Sequence, residues 1–213
     1  MPLIEHLISS GYLKTPRIIA AFRAIKRKDF LPADLPHRRI VAELNEAIAI
    51  GFAQTISQPA TVAFMLELLQ PCPGDKILDV GYGSGWTSAL LAHIVSQNGA
   101  KGKVVAIERI KPLAEFGKEN IAKYGFIKSR IVQCVIGDGS RGYEPQSPYD
   151  RILASADAQK IPANWEKQLK IGGIIAAPTQ NAIVKIEKNR DNVFNETRYE
   201  GFAFVPLVQG ADN

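Results

Sequence analysis

The sequence predicts an α/β fold in which helices cover both faces of a mostly parallel, doubly wound sheet. From residue 76 onward, short apolar strands alternate with helical segments, and this alternation is typical of parallel sheets. A glycine-rich loop joins the first of these strands to its helix. Two later strands, at residues 182–188 and 197–206, are separated by a polar turn and predict an antiparallel hairpin at the sheet edge. The length of 213 residues fits one domain.

Residues 1–58 predict a helical extension that precedes the α/β core of residues 59–213. Apolar residues recur with helical spacing between Leu3 and Ile8. A second helix is expected to begin at Thr15–Pro16, because proline is favoured in the first helical turn. The Phe30-Leu31-Pro32 segment breaks this helix, and residues 32–58 are predicted to be irregular.

The core begins with a helix whose start is marked by Gln58–Pro59 and whose end is marked by the turn residues Pro71–Asp75. Strands are predicted at residues 76–80, 103–108, 130–136, 151–155 and 173–177, ahead of the hairpin. Helices are predicted at residues 87–96, 112–124 and 163–170.

Composition indicates a cytoplasmic protein without a membrane span. No apolar stretch approaches the roughly 20 residues that a spanning helix needs, and the N-terminus lacks the layout of a secretory signal. The net charge is +5, but the 26 basic and 21 acidic residues are interleaved, so a solvated surface is favoured over nucleic-acid binding even at Lys26-Arg27-Lys28. Cys72 and Cys134 match no metal or redox spacing, and no metal site is predicted.

The glycine loop Asp79-Val80-Gly81-Tyr82-Gly83-Ser84-Gly85 follows a strand and opens a helix, where a doubly wound sheet binds a nucleotide-like ligand. Its glycines are spaced G-x-G-x-G, unlike the G-x-G-x-x-G of the dinucleotide fingerprint, and it lacks the lysine of a phosphate-binding loop. The carboxylate of Asp79 suits a cationic or amino-bearing ligand better than a pyrophosphate.

Two further acids end the next two predicted strands. Glu108 is placed to accept hydrogen bonds from both hydroxyls of a ribose. Asp138, between Gly137 and Gly139, is placed to accept from an adenine amino group. Each acid alone could be a turn or cap residue. The three carboxylates together indicate an adenosine with a cationic, amino-acid-bearing end, and S-adenosylmethionine fits this description.

Several segments together resemble one known family. The most specific is Ile50-Gly51-Phe52-Ala53-Gln54-Thr55-Ile56-Ser57-Gln58-Pro59, ahead of the first sheet strand. The other matching pieces are Leu78–Trp86, Ile107–Ile110, Gly137–Gly139, Ser147–Asp150, Gln168–Gly173 and Phe204–Leu207. From about residue 3 to residue 209 the chain resembles the protein-L-isoaspartate (D-aspartate) O-methyltransferases.

The resemblance implies a single Rossmann-like class I methyltransferase domain with seven strands, whose N-terminal helices form a substrate wall. It implies methylation of the carboxyl group of L-isoaspartyl residues in damaged proteins, with S-adenosylmethionine as cofactor. Ser57 matches the family's usual active-site residue. The expected cofactor-binding residues are Gln54, Thr55, Ile56, Asp79, Gly81, Tyr82, Gly83, Glu108, Arg109, Asp138 and Gly139.

The proposed acceptor needs no general base, because a carboxyl group with a pKa of about 3 to 4 is already ionised at neutral pH. Ser57 is suited to hydrogen-bond one carboxylate oxygen and aim the other at the methyl group. Its alternative role is that of an N-cap for the helix that begins near Pro59.

The sequence departs from the family pattern at Ala53, in residues 41–46, and at two residues that bear directly on the site. Tyr82 replaces a small Ser or Thr and is expected to crowd the glycine loop, and Asp157 introduces a charge into a segment that is usually a run of alanines. Two alternatives therefore stay open. The chain could methylate another acceptor, either the aspartate of a dedicated peptide or an RNA, or it could bind S-adenosylmethionine without catalysis.

Overall fold

The structure is a computed structural model that describes residues 2–208 and residue 210. The helices are α1 Leu3–Ser9, α2 Pro16–Ala24, α3 Arg38–Val41, α4 Pro59–Leu69, α5 Trp86–Val95, α6 Lys111–Ala122 and α7 Ala163–Gln168. The strands are β1 Ile48–Gly51, β2 Gln54–Ile56, β3 Lys76–Val80, β4 Lys103–Glu108, β5 Val132–Ile136, β6 Tyr149–Ala154, β7 Leu169–Thr179, β8 Ala182–Lys188 and β9 Phe194–Glu200.

The predicted sheet is confirmed. Its seven strands lie in the order β5-β4-β3-β6-β7-β8-β9. The first five are parallel, and β8 and β9 add an antiparallel edge. Because parallel strands end at the same edge of a sheet, the segments after β3, β4, β5 and β6 meet there, close to the point where the strand order reverses.

Both faces of the central strands are buried, and successive residues enter different cores. Ile77 and Val104 pack into a large core that includes the apolar faces of α1, α2, α4, α5 and α6. Leu78 and Val105 face the opposite side and pack into a smaller core around Trp165 of α7. This two-sided burial explains why consecutive residues of these strands, and not only alternate ones, are apolar.

The expectation that residues 32–58 are irregular is wrong in part. Helix α3 and the antiparallel hairpin of β1 and β2 both form within this region. Three consecutive residues at the hairpin turn, Gly51, Phe52 and Ala53, have positive φ angles of 93°, 54° and 55°. Because Phe and Ala rarely adopt such angles, no turn signal in the sequence marks this hairpin.

Some predicted boundaries also need correction. The final strand, predicted at residues 197–206, is β9 at Phe194–Glu200. Residues 201–208 leave the sheet, and Pro206 forms an isolated bridge with Asp157. The predicted helix at 163–170 stops at Gln168, where the chain enters β7, which is longer than the predicted 173–177.

The basic run Lys26-Arg27-Lys28 is not a uniformly solvated surface. Lys26 is exposed and Lys28 half-buried, but Arg27 is only 5% exposed. It opens a short 3-10 helix, Arg27–Phe30. Among residues 2–208 and 210, no helix has the length and apolar character that crossing a lipid bilayer requires.

The large core depends on the buried face of α4. Leu66 is fully buried there, whereas Leu44 is 42% exposed. Leu66→Ala should lower the free energy of unfolding by about 2–5 kcal/mol, because it removes buried methyl groups and leaves a cavity. Leu44→Ala is the matched control and should change it by less than about 0.5 kcal/mol. Urea unfolding of both variants measures the difference, and equal losses would contradict this account of the core.

Candidate active site

A cleft opens at the edge where the parallel strands end. Ten of the twelve residues predicted to form the site line it: Gln54, Thr55, Ile56, Ser57, Gly81, Tyr82, Gly83, Glu108, Arg109 and Gly139. Asp79 and Asp138 do not contribute to its lining.

The glycine loop is attached to α6. The hydroxyl of Tyr82 donates to the carbonyl of Ala114 at 2.9 Å, and the side chain of Asn120 donates to the carbonyl of Ser84 at 3.0 Å. The ring of Tyr82 lies against Gly117, where an added Cβ would be 2.8 Å from the ring. The expectation that Tyr82 crowds the loop is therefore wrong, because Gly117 provides the space for its ring.

Glu108 is 6% exposed and holds the glycine loop against the end of β4. Its Oε2 accepts from the backbone N–H of Gly83 at 3.1 Å. Its Oε1 accepts from the N–H groups of Arg109 and Ile110 at 2.9 and 3.0 Å. A carboxylate has about four acceptor positions, so Oε2 keeps capacity for a further donor.

Asp79 is completely buried beneath the loop. Its Oδ2 accepts from the hydroxyls of Ser88 at 2.6 Å and Thr87 at 2.9 Å, while Oδ1 has no partner among the described residues. Burial raises the pKa of Asp79 to about 6, against the opposing effect of the two hydroxyls and with a further contribution from the charge of Glu108.

Asp138 lies beyond β5 and is fully engaged. Its Oδ1 accepts from the N–H and the hydroxyl of Ser140, and its Oδ2 accepts from the N–H of Gly210 at 2.9 Å. Burial acts to raise the pKa of Asp138, but these hydrogen bonds outweigh it and hold the pKa below its ordinary value. Gly139 approaches β3 so closely that an added Cβ would lie 2.5 Å from Val80 Cγ1.

Ser57 lies where the cleft meets a second opening, which we call the acceptor groove. The groove is lined by Asn45, Glu46, Ala47, Thr55, Ser57, Gln58, Thr61, Ser155 and residues 201–205. The hydroxyl of Ser57 has no hydrogen-bond partner in the part of the chain that the structure describes. It does not cap α4, because the side chain of Asn45 accepts from the N–H of Ala60 at 2.9 Å instead.

Sequence reasoning missed part of the cleft wall. Ser155 and residues 205–208 also line the cleft. Residues 205–208 are brought in by the pairing of Asp157, whose N–H donates to Val205 and whose carbonyl accepts from Leu207, both at 2.7 Å. The carboxylate of Asp157 accepts from the N–H of Gln180 and lines neither the cleft nor the acceptor groove. The charge of Asp157, which was expected beside the acceptor, therefore lies outside the acceptor groove.

The family model described as protein-L-isoaspartate(D-aspartate) O-methyltransferase matches residues 1–212. The chain is 40% identical over 210 residues to the protein-L-isoaspartate O-methyltransferase of Methanopyrus kandleri, covering 97% of this chain and 89% of the relative. It is also 40% identical over 210 residues to the protein of the same name from Aeropyrum pernix, covering 97% and 78%.

Solved structures share the fold. A structure described as a protein-L-isoaspartate O-methyltransferase from Plasmodium falciparum, in complex with S-adenosyl-L-homocysteine, superimposes with a TM-score of 0.85 at 21% identity, covering 97% of this chain and 96% of that chain. A second protein-L-isoaspartate O-methyltransferase structure gives a TM-score of 0.78 at 26% identity, covering 94% and 65%. The class I methyltransferase fold expected from the sequence is confirmed.

Asp79 should make the free energy of unfolding fall as the pH rises from about 4 to about 6. Its pKa of about 6 in the folded chain lies above the ordinary pKa of an aspartate, so the folded state binds this proton more tightly than the unfolded state does. Asp79→Asn removes this titration. Relative to the wild type, the variant should gain stability across that window and level off above it. Urea unfolding at several pH values measures the difference, and parallel curves would contradict the assignment.

Proposed function

The chain belongs to the protein-L-isoaspartate(D-aspartate) O-methyltransferase family, and we propose that it methylates the misplaced carboxyl group of L-isoaspartyl residues in damaged proteins and peptides. Such residues arise when Asn or Asp cyclises to a succinimide that reopens the wrong way. The methyl ester is a better leaving group than the free carboxylate, so the succinimide reforms and part of it opens to normal aspartate. The activity is therefore protein repair.

The observation that carries this proposal is the position of Ser57 between two spaces. One is the cleft lined by the glycine loop and Glu108. The other is the acceptor groove, which reaches solvent between residues 45–47 and residues 201–205. Ser57 and Thr55 line both spaces, so an acceptor in the groove can meet a cofactor in the cleft at this point.

The residues of the cleft fit S-adenosylmethionine. Two buried polar atoms beside the glycine loop, Asp79 Oδ1 and Trp86 Nε1, have no partner among the described residues. One is an acceptor and the other a donor, which matches the ammonium and carboxylate of an amino-acid end. The free position on Glu108 Oε2 suits a ribose hydroxyl. Arg109 and Gly139 continue the same wall toward the expected adenine position.

The protein's task is to orient the acceptor and limit its hydration. When bound, S-adenosylmethionine supplies a methyl group on a positively charged sulfur. The acceptor carboxylate is ionised at neutral pH and gives up no proton, so the site needs no general base. Ser57 donates a hydrogen bond to one carboxylate oxygen and leaves the other free to attack. Correct positioning of two reactants contributes roughly 7–11 kcal/mol to a reaction of this kind.

The N-terminal extension supplies one wall of the groove. Asn45, Glu46 and Ala47 precede β1, Thr55 lies in β2 and Ser57 follows it, so a single stretch of the extension contributes to the acceptor side. Residues 59–213 supply the glycine loop, the acids and most of the cofactor side. The extension and the core therefore form one methyltransferase domain, in which the extension contributes to the acceptor side and the core supplies most of the cofactor side.

Transfer of labelled methyl to two synthetic peptides tests the function. The peptides are identical except that one position carries either isoaspartate or normal aspartate. We expect transfer to the isoaspartyl peptide alone. Transfer to the normal peptide would instead indicate dedicated modification of aspartate. Transfer to neither peptide, with calorimetry showing that S-adenosylmethionine still binds, would overturn the repair function.

Ser57→Ala should lower kcat for the isoaspartyl peptide by about ten- to a hundredfold, because a hydrogen bond to a charged group is worth about 1.5–3 kcal/mol. The Kd for S-adenosylmethionine should stay close to that of the wild type. Ser129→Ala is the control, since Ser129 is exposed and its hydroxyl donates to the carbonyl of Phe126, away from the site. An unchanged kcat in Ser57→Ala would remove Ser57 from the mechanism.

A further inference from the structure

Arg27 is a buried cation that connects two segments of the acceptor side. Its Nη1 donates to the carbonyls of Leu44 at 3.0 Å and Ala42 at 3.3 Å. Its Nη2 donates to the carbonyls of Glu46 at 2.6 Å and Ser57 at 3.3 Å. Three of these carbonyls belong to the loop between α3 and β1, and the fourth follows β2. One side chain thus holds two segments that are distant in sequence.

These two segments form the acceptor groove. The 42–46 loop presents Asn45 and Glu46 to the groove, and the second segment presents Ser57. Asn45 also fixes the loop. The side chain of Gln58 donates to the carbonyl of Asn45 at 2.9 Å, and the side chain of Asn45 accepts from the N–H of Ala60. The distance between Ser57 and the groove wall is therefore set by Arg27 together with Asn45.

Arg27 also contacts the cofactor side. Its guanidinium carbon lies 5.4 Å from the centre of the Trp86 ring, in cation–π geometry. Trp86 is the first residue of α5, directly after the glycine loop, and Phe22 packs edge-on against it with ring centres 5.6 Å apart. Arg27 thus joins the acceptor groove to the start of the helix that carries the glycine loop.

The burial of Arg27 costs free energy, because its charge is removed from water. No carboxylate lies within ion-pair distance of Arg27 among the described residues, so carbonyl dipoles, the Trp86 ring and the more distant charge of Glu43 stabilise the guanidinium. Burial lowers the pKa of Arg27 to about 10, and the side chain is still protonated at neutral pH. An apolar side chain could fill the same volume without desolvating a charge. The planar fork of a guanidinium, however, can reach several carbonyls at once.

We propose that Arg27 is a positioning residue for the methyl acceptor, fixing Ser57 and the 42–46 loop at the separation that an isoaspartyl carboxylate requires. The inference rests on the proposed function for its substrate, but the geometry is independent of that function. A lysine at this position keeps the charge but offers a single ammonium centre, so it cannot hold both segments at once.

Arg27→Lys tests the proposal, with Arg23→Lys as the matched control because the Arg23 side chain is 56% exposed and pairs with Glu5 on the surface. We expect kcat/KM for the isoaspartyl peptide to fall by about a hundredfold in Arg27→Lys, the loss associated with a misplacement of about 1 Å. The Kd for S-adenosylmethionine should change little, because the Phe22 contact still holds Trp86. Arg23→Lys should leave both quantities unchanged.

Hydrogen exchange supplies a readout besides activity. In Arg27→Lys the amides of residues 42–47 and of Ser57 should exchange faster, while those of β3 and β4 should not. Wild-type exchange and wild-type kcat/KM in the folded variant would overturn the proposal. A uniform rise in exchange, with equal losses of cofactor and peptide affinity, would also overturn it, because that pattern indicates a merely structural role.

Two further measurements cover the cases in which the variant does not fold or the wild-type protein is inactive on the peptide. If Arg27→Lys does not fold, Arg27→Ala is assayed with and without ethylguanidinium, which can occupy the vacated site. Recovery of peptide turnover supports the proposal, and full turnover without the additive overturns it. If the wild-type protein does not methylate the isoaspartyl peptide, the proposed function fails, while local exchange in the variant still decides the role of Arg27.

Discussion

The glycine loop can lie where it does only because the backbones at Gly83 and Gly117 approach each other without a side chain between them. A Cβ added at Gly117 would lie 2.3 Å from the carbonyl oxygen of Gly83. This close approach fixes the distance between the loop and the sheet. It therefore places the N–H of Gly83 within hydrogen-bonding distance of Glu108. Tyr82 and Asn120 then secure the loop through hydrogen bonds to and from α6. The cofactor side of the cleft is thus built by backbone approach rather than by mobile side chains.

Three buried charged groups surround this loop, and each is stabilised differently. Glu108 is surrounded by backbone N–H groups. Asp79 has two hydroxyl donors and an unpaired oxygen, and burial raises its pKa. Arg27 has four carbonyls and an aromatic face. Since unpaired buried polar atoms are costly, the incomplete pairing of Asp79 is the feature that a cationic ligand would complete.

The predictable parts of the fold are those that short, continuous stretches of sequence specify. Continuous apolar runs located β3 and β4, and the glycine spacing and the acid of Glu108 located the cleft, because parallel strands place their ends together. The hairpin at Gly51–Ala53 was missed because non-glycine residues adopt positive φ there. The role of Arg27 was missed because its partners are backbone carbonyls, which leave no signature in a sequence. Residues 205–208 were missed for a similar reason, since backbone pairing with Asp157 brings them in.

The two departures from the family pattern show how a substitution near a site can leave the site unchanged. The extra volume of Tyr82 is taken up on the far side of the loop, where Gly117 has no side chain, and its hydroxyl gains a buried acceptor in Ala114. The extra charge of Asp157 accepts from the N–H of Gln180, while its backbone holds Val205 and Leu207 against the cleft. Neither side chain lies in the acceptor groove. We therefore propose that Ser57 and the segments that Arg27 holds, rather than the two departures, determine which carboxylate can be methylated.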